Sequence, residues 1–117
     1  MTDIRRIEPG PRMSEAVIHG NKLYTAGVVA GTMAGRSVRE QTADILEQID
    51  SILAQAGSDK TRILKANIWL ADISTFSQMN EAWDAWVVSG KTPARATVEA
   101  RLASPEYAVE IMIEAAC

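Results

Sequence analysis

Cysteine and histidine are almost absent from this chain, since Cys117 and His19 are the only residues of their kinds. A single cysteine cannot form a disulfide within the chain, so the sequence excludes a small scaffold held together by disulfide bonds. One cysteine and one histidine are also too few for a closed or catalytic zinc site. We therefore expect no metal ion in this protein.

An excess of positive charge is also lacking. The chain has 12 Lys and Arg against 15 Asp and Glu, which gives a formal net charge of -3. Proteins that bind nucleic acids usually carry a basic face that contacts the phosphates. The sequence therefore predicts neither a nucleic-acid partner nor a polybasic membrane anchor.

Long apolar segments are missing as well. None approaches the roughly 18 consecutive apolar residues of a membrane-spanning helix, and residues 1–8 are polar, without the apolar region of a secretion signal. We therefore expect a cytoplasmic protein with no membrane partner. The 117 residues, 47% of them hydrophobic, suffice for the core of a single globular domain over residues 1–117.

Turn signals and alternating apolar residues predict the strands. A short N-terminal strand precedes the loop 9–11, and Gly20-Asn21 is typical of a two-residue hairpin turn between the next two strands. Residues 63–72 alternate as a central strand, and residues 95–102 and 109–114 predict the last two strands. The expected faces of the central strand are Leu64, Ala66, Ile68 and Leu70 on one side, with Ile63, Lys65, Asn67 and Trp69 on the other.

Two helices are predicted between these strands. Ser37 and Glu40 form a capping box ahead of an apolar stripe, and Gly57 is placed to end that helix. A second helix follows Thr75 and is expected to stop at Gly90. The order β-β-(β)-α-β-α-β-β predicts an α+β domain in which two helices cover one face of a mixed sheet of five or six strands.

The second face of that sheet is expected to carry Trp69, Ile63 and Met112 among charged residues. An apolar surface of this kind is usually covered by a partner. The sequence therefore indicates an oligomer.

Arg95 is the first candidate for a functional residue. Its guanidinium group offers a rigid fork of donors that suits a carboxylate. Glu110, in an apolar strand, is the second candidate, because a carboxylate there can hold and orient a water molecule. A tight hairpin near Ser104-Pro105 would place the two about 13 Å apart, on what could be the same face. The alternatives are a cross-strand ion pair of Arg95 with Glu110 or Glu114, and a solvated outward position for Glu110.

Several segments match the motifs of a known family. The signature Pro-x-Arg strand is matched by Pro93–Leu102, and its Glu-Ile-Glu strand by Val109–Ala115. Further matches are Arg12–Val17, Leu23–Gly27 and Asn80–Trp83. By these motifs the chain resembles the RidA (YjgF-type) family of reactive imine/enamine deaminases.

This resemblance implies a chorismate-mutase-like fold and a homotrimer, with sheets around a central barrel and clefts between subunits. It implies hydrolysis of 2-imino acids, or their enamine tautomers, to 2-keto acids and ammonia without a cofactor. Arg95 would bind the substrate carboxylate and Glu110 would position the attacking water. Gly27 and Asn80 would lie around the same cleft.

The sequence departs from the family pattern at four positions. Met13 and Thr97 occupy places of a tyrosine and a cysteine, and Ala26 and Val28 replace a serine and a glutamine on either side of Gly27. These changes make the floor of the expected site more apolar. They leave the carboxylate-binding and water-holding residues in place.

Two other functions stay open at this stage. The same cleft could bind a 2-keto acid or an amino acid without turnover, as a sensor does. Ribonuclease activity occurs in some members of the family, but the excess of acidic residues argues against strong binding to RNA.

Overall fold

The structure is a computed structural model that describes residues 3–117. Along this part of the chain it contains seven strands, two α-helices and two short 3-10 helices, Lys60–Arg62 and Ile73–Thr75. The strands are β1 (Ile4–Pro9), β2 (Ser14–His19), β3 (Lys22–Thr25), β4 (Val28–Val29), β5 (Ile63–Leu70), β6 (Ala94–Glu99) and β7 (Val109–Ala116), and the helices are α1 (Val38–Gln55) and α2 (Phe76–Trp86).

All seven strands belong to one mixed sheet. Its order is β1-β2-β3-β7-β5-β6, and β4 also pairs with β7. The strands β5 and β6 are parallel, whereas the other pairs are antiparallel. The sheet has one strand more than the upper predicted number, because Val28 and Val29 pair with β7 as a separate short strand.

Both helices pack on one side of the sheet, which we call the helix face; the other side is the open face. This arrangement confirms the predicted α+β fold with two helices on one face. The core between the layers is mainly aliphatic, and its fully buried members include Leu23, Ile45, Leu46, Ile49, Leu53, Ile68, Leu70, Ile111 and Ile113.

Local sequence signals place α1 correctly. The Ser37 hydroxyl accepts a hydrogen bond from the Glu40 backbone N–H at 3.2 Å and donates one to the Glu40 carboxylate at 3.0 Å. At the other end Gly57 adopts a φ of 72°, and the backbone N–H of Ser58 bonds to the carbonyl of Leu53 at 2.9 Å. This left-handed ending favours glycine, so the predicted cap and stop of α1 are confirmed.

The predicted start of α2 after Thr75 is confirmed, but its predicted end is wrong. The Thr75 side chain does not cap the helix and donates instead to the backbone carbonyl of Asp72 at 2.6 Å. The helix ends at Trp86, because Val87 is already extended, with a ψ of 155°. Gly90 lies beyond the helix end, in the turn that leads to β6, so its predicted role as the helix stop is wrong.

The last two strands are not neighbours, which corrects the predicted hairpin. β5 lies between them and pairs with β6 on one side and β7 on the other. The connecting segment crosses the end of β5: the N–H of Ala100 bonds to the carbonyl of Leu70, and the N–H of Ala71 bonds to the carbonyl of Ala108. In its central position, β7 buries one complete face. If β7 formed a hairpin with β6, it would lie at the edge of the sheet.

The start of β5 also differs from the prediction. The register against β7 shifts between Ile63 and Lys65, as in a β-bulge. Ile63 is therefore in the core at 5% exposure, while Leu64 is 47% exposed. The predicted faces of these two residues were wrong, because one extra residue reverses the alternation.

The open face is partly apolar, even though Ile63 belongs to the core. One row across it runs from Val98 on β6 through Trp69 and Glu110 to Val29 on β4. Val98 is 52% exposed, and Met112 in the next row is also exposed. Within residues 3–117, neither helix has the length and apolar character needed to cross a membrane.

Candidate active site

Arg95 lies on β6, where it pairs with the core residue Ala66 and faces the helices. Its Nη1 donates a hydrogen bond to the side-chain oxygen of Asn80 at 2.8 Å. The guanidinium carbon is 5.2 Å from the ring centre of Trp83 and 5.6 Å from that of Phe76. The guanidinium group is thus held by one hydrogen bond and two aromatic faces.

One side of α2 supplies all these contacts. Phe76, Met79, Asn80 and Trp83 are three or four residues apart, and this spacing puts them on the same face of a helix. Met79 and Trp83 are buried, and the Met79 sulfur lies 3.9 Å from Nη1 of Arg95. The spacing of these residues along the sequence does not show that they surround Arg95.

Arg95 has no acidic partner in the described part of the chain. The ion pairs found in residues 3–117 are Arg36–Glu40 at 3.0 Å and Arg39–Glu81 at 3.8 Å. A cross-strand pair of Arg95 with Glu110 or Glu114 is therefore wrong. The half-buried guanidinium has only neutral contacts, which leaves its charge available to an anionic ligand.

Glu110 lies on the open face of β7, between the buried residues Val109 and Ile111. Its strand neighbours are Trp69 on β5 and Val29 on β4. The side chain thus lies on the outward face, as in the predicted alternative, and it is half-buried there.

Gly27 and Glu110 are in close contact. A β-carbon added at Gly27 would collide with the Oε2 atom of Glu110. The glycine therefore allows the carboxylate to rest directly against the backbone between β3 and β4. This contact supports the expected neighbourhood of the two residues.

Arg95 and Glu110 do not share a face within one chain. Arg95 and Ile113 of β7 both pair with Ala66 on the strand between them. Glu110 is three residues from Ile113 along β7, and β7 is two strands away from β6. These steps give a separation of about 14 Å between Cα atoms, with the side chains on opposite sides of the sheet. The hypothesis that the two residues of one chain face each other across a small ligand is therefore wrong.

The other predicted site residues, Thr97 and Met13, also lie in different parts of the structure. Thr97 follows Arg95 on the helix face of β6, and its hydroxyl is buried without a hydrogen-bond partner in residues 3–117. Met13, 54% exposed, lies in the β1–β2 turn, where its carbonyl accepts from Gly10. Continuing the β2–β3 register places Met13 level with Val28, at the end of the sheet that holds Gly27.

Two groups of residues result. We name Arg95, Asn80 and Thr97 the arginine half-site, and Glu110, Gly27 and Met13 the glutamate half-site. The sequence identified the members of both groups but could not separate them, because the separation depends on the position of β5 between β6 and β7.

A cleft of about 650 Å³ lies elsewhere, along the segment that follows β6. Its lining includes Glu99, Arg101, Ser104 and Tyr107, but neither Arg95 nor Glu110. We place the candidate site at the half-sites, because each has a charged group in contact with neighbouring side chains or backbone, and volume alone does not indicate chemistry.

Comparison with known proteins identifies the family of the chain. The family model described as "Endoribonuclease L-PSP" matches residues 4–117. The RutC family protein YoaB of Escherichia coli (strain K12) is 51% identical over 113 residues, 97% of each chain. A RutC family protein of Haemophilus influenzae is 48% identical over 114 residues, 97% of this chain and 98% of that one.

Solved structures give the same result. The crystal structure of NMB1025 from Neisseria meningitidis, described as a member of the YjgF protein family, has a TM-score of 0.94 and 50% identity. The match covers 97% of this chain and 94% of that chain. Sequence, fold and family model together show that this chain belongs to the YjgF/RidA/RutC family.

Proposed function

We propose that this protein is a deaminase of the 2-iminobutanoate/2-iminopropanoate type. It would hydrolyse reactive 2-imino acids, or their enamine tautomers, to 2-keto acids and ammonia without a cofactor. The observation that carries the proposal is the state of Arg95: a half-buried, oriented guanidinium group whose partners within residues 3–117 are all neutral. Such a group suits the carboxylate that every 2-imino acid carries.

The proposal requires more than one copy of the chain. Because the two half-sites of one chain lie on opposite faces, a small substrate cannot contact both. The exposed apolar residues of the open face, among them Val98 and Met112, favour association. We propose a homotrimer in which the arginine half-site of one subunit meets the glutamate half-site of the next.

The chemistry then follows from the two charged groups. Arg95 binds the carboxylate and holds the C=N carbon near a water molecule that Glu110 orients. As the water oxygen bonds to the carbon of the protonated imine, Glu110 takes one proton from the water and the C=N π electron pair moves to the iminium nitrogen. That nitrogen becomes a neutral amine, which gives a carbinolamine. Glu110 returns the proton to the nitrogen, the C–N bond breaks, and ammonia leaves as the hydroxyl loses its proton to give the 2-keto acid.

The contact between Gly27 and Glu110 supports this role. A carboxylate packed against backbone has few alternative positions, so its free oxygen keeps a fixed direction. Fixed direction matters because general-base catalysis requires hydrogen-bond contact with the proton that is removed.

Cleavage of RNA, the activity named in the description of the family model, is not the function that we propose. Binding of the RNA backbone depends on Lys and Arg that neutralise phosphates. Here 12 such residues face 15 acidic ones.

The test generates a 2-imino acid in situ with an amino-acid oxidase and follows the loss of that imino acid with and without this protein. We expect wild-type protein to accelerate the loss, and the variant Arg95→Ala not to. The matched control is Arg101→Ala, which removes an exposed arginine on the segment after β6 and should behave as wild type. Binding of 2-oxobutanoate without any acceleration would instead identify a sensor.

A further inference from the structure

Asn80 is in direct contact with Arg95. The family resemblance implied only that Asn80 lies around the cleft. Its side-chain oxygen accepts the 2.8 Å hydrogen bond from Arg95 Nη1. A carboxamide that accepts in this way is neutral and fixes the direction of the guanidinium fork, whose remaining donors stay available.

The acidic residues of α2 are kept away from this contact. Glu81 follows Asn80 directly, yet it is exposed and lies near Arg39 of α1. Asp84 is also exposed. The four α2 residues around Arg95 (Phe76, Met79, Asn80 and Trp83) are all uncharged.

We propose that Asn80 is a positioning residue that orients Arg95 without neutralising it. This inference rests on the proposed function and specifies how its carboxylate site is kept ready. An aspartate at position 80 would have nearly the same shape, but its carboxylate would bind the guanidinium from within the protein. The internal carboxylate would then compete with that of the substrate, so the amide is needed for affinity and not for folding.

The first experiment measures binding of 2-oxobutanoate to Asn80→Asp by calorimetry. The matched control is Gln78→Glu, which adds the same charge at an exposed position of α2. We expect the dissociation constant of Asn80→Asp to rise by about 10²-fold, because a charge-assisted internal bond replaces the neutral one. Its unfolding temperature should equal or exceed that of wild type, while Gln78→Glu should bind as wild type.

The second experiment uses Asn80→Ala, which removes the acceptor and adds no charge. We expect kcat/KM to fall about tenfold, mainly through a higher KM, because one hydrogen bond that orients the charged group is lost. The affinity of both variants for 2-oxobutanoate is compared by calorimetry. If Asn80→Asp loses no more affinity than Asn80→Ala does, the proposal is overturned. Wild-type affinity in both variants would also overturn it.

These results can be separated from failure of the proposed function. If Arg95→Ala retains full imine hydrolysis, the carboxylate site itself is wrong. If Arg95→Ala is inactive while Asn80→Asp binds 2-oxobutanoate as wild type does, only the role of Asn80 is wrong.

Discussion

Arg95 and Glu110 lie on opposite faces of the same sheet, two strands and three residues apart. Asn80 accepts a hydrogen bond from the guanidinium, and the carboxylate packs against the backbone at Gly27. A site that uses both must therefore form between copies of the chain.

Replacement of Arg95 should remove substrate binding. We expect Arg95→Ala to lower kcat/KM for a 2-imino acid by on the order of 10²-fold or more, because a charge-assisted contact with the carboxylate is lost. Arg95→Lys should recover little, since a point charge cannot reproduce the planar fork. Steady-state kinetics and calorimetry with 2-oxobutanoate give the two values. Full activity and full binding in a folded Arg95→Ala variant would contradict the proposed site.

Replacement of Glu110 should affect turnover more than binding. The variant Glu110→Gln keeps the shape of the side chain but removes the base, so we expect kcat to fall by about 10²-fold. The affinity for 2-oxobutanoate should stay close to that of wild type, because Arg95 still binds the carboxylate. If kcat is unchanged in this variant, Glu110 does not accept the proton.

Gly27→Ala tests whether the position of the carboxylate matters. The new methyl group would collide with Glu110 Oε2 and force that side chain to turn, so activity should fall on the order of tenfold. Gly31→Ala is the matched control, because a β-carbon there comes no closer than 3.9 Å to another residue. Equal activity in the two variants would show that the packing of Glu110 against Gly27 is not needed.

Mixing two inactive variants tests whether the site lies between subunits. Arg95→Ala and Glu110→Gln chains, unfolded and refolded together, should form mixed trimers in which roughly a quarter of the sites have both wild-type residues. Activity should therefore reappear in the mixture but not in either variant refolded alone. A monomer mass by light scattering at micromolar concentration, or no recovery in verified mixed oligomers, would rule out the shared site.

The stability of the fold should decrease in acid. Hydrogen bonds from the side chain and backbone N–H of Ser74 lower the pKa of Asp72 below its ordinary value of 3.8. The pKa of Glu40 is lowered in the same direction, mainly by the Ser37 hydroxyl. Because both pKa values are lower in the folded state, the stabilisation is complete above the unfolded values and is lost as the pH falls through the folded ones.

The measurement is the free energy of unfolding in urea at several pH values from 7 down to about 3. We expect it to decrease below about pH 4 to 5, where the unfolded state begins to bind protons first. Asp72→Asn keeps an acceptor oxygen without a charge and should show a shallower decrease. A decrease identical to that of wild type would mean that the hydrogen bonds at Asp72 do not contribute.

The amino-acid sequence by itself determined the local elements of this protein. The capping box at Ser37, the hairpin turn at Gly20 and the left-handed helix end at Gly57 depend on a few adjacent residues, so they could be predicted. The residue types also identified Arg95 and Glu110 as candidates, since a guanidinium fork suits a carboxylate and a carboxylate in an apolar strand can orient a water molecule.

Only the tertiary structure decided how these elements meet. Alternation along a strand does not specify its neighbours, and β7 lies between β3 and β5 because that position buries one whole face of it. One extra residue near Leu64 exchanged the faces of Ile63 and Leu64, which a strict period of two cannot predict. The partner of Arg95 and its separation from Glu110 also depend on packing between segments that are distant in the sequence. Several pairings fit the sequence equally well, and burial and close contact favour the observed one.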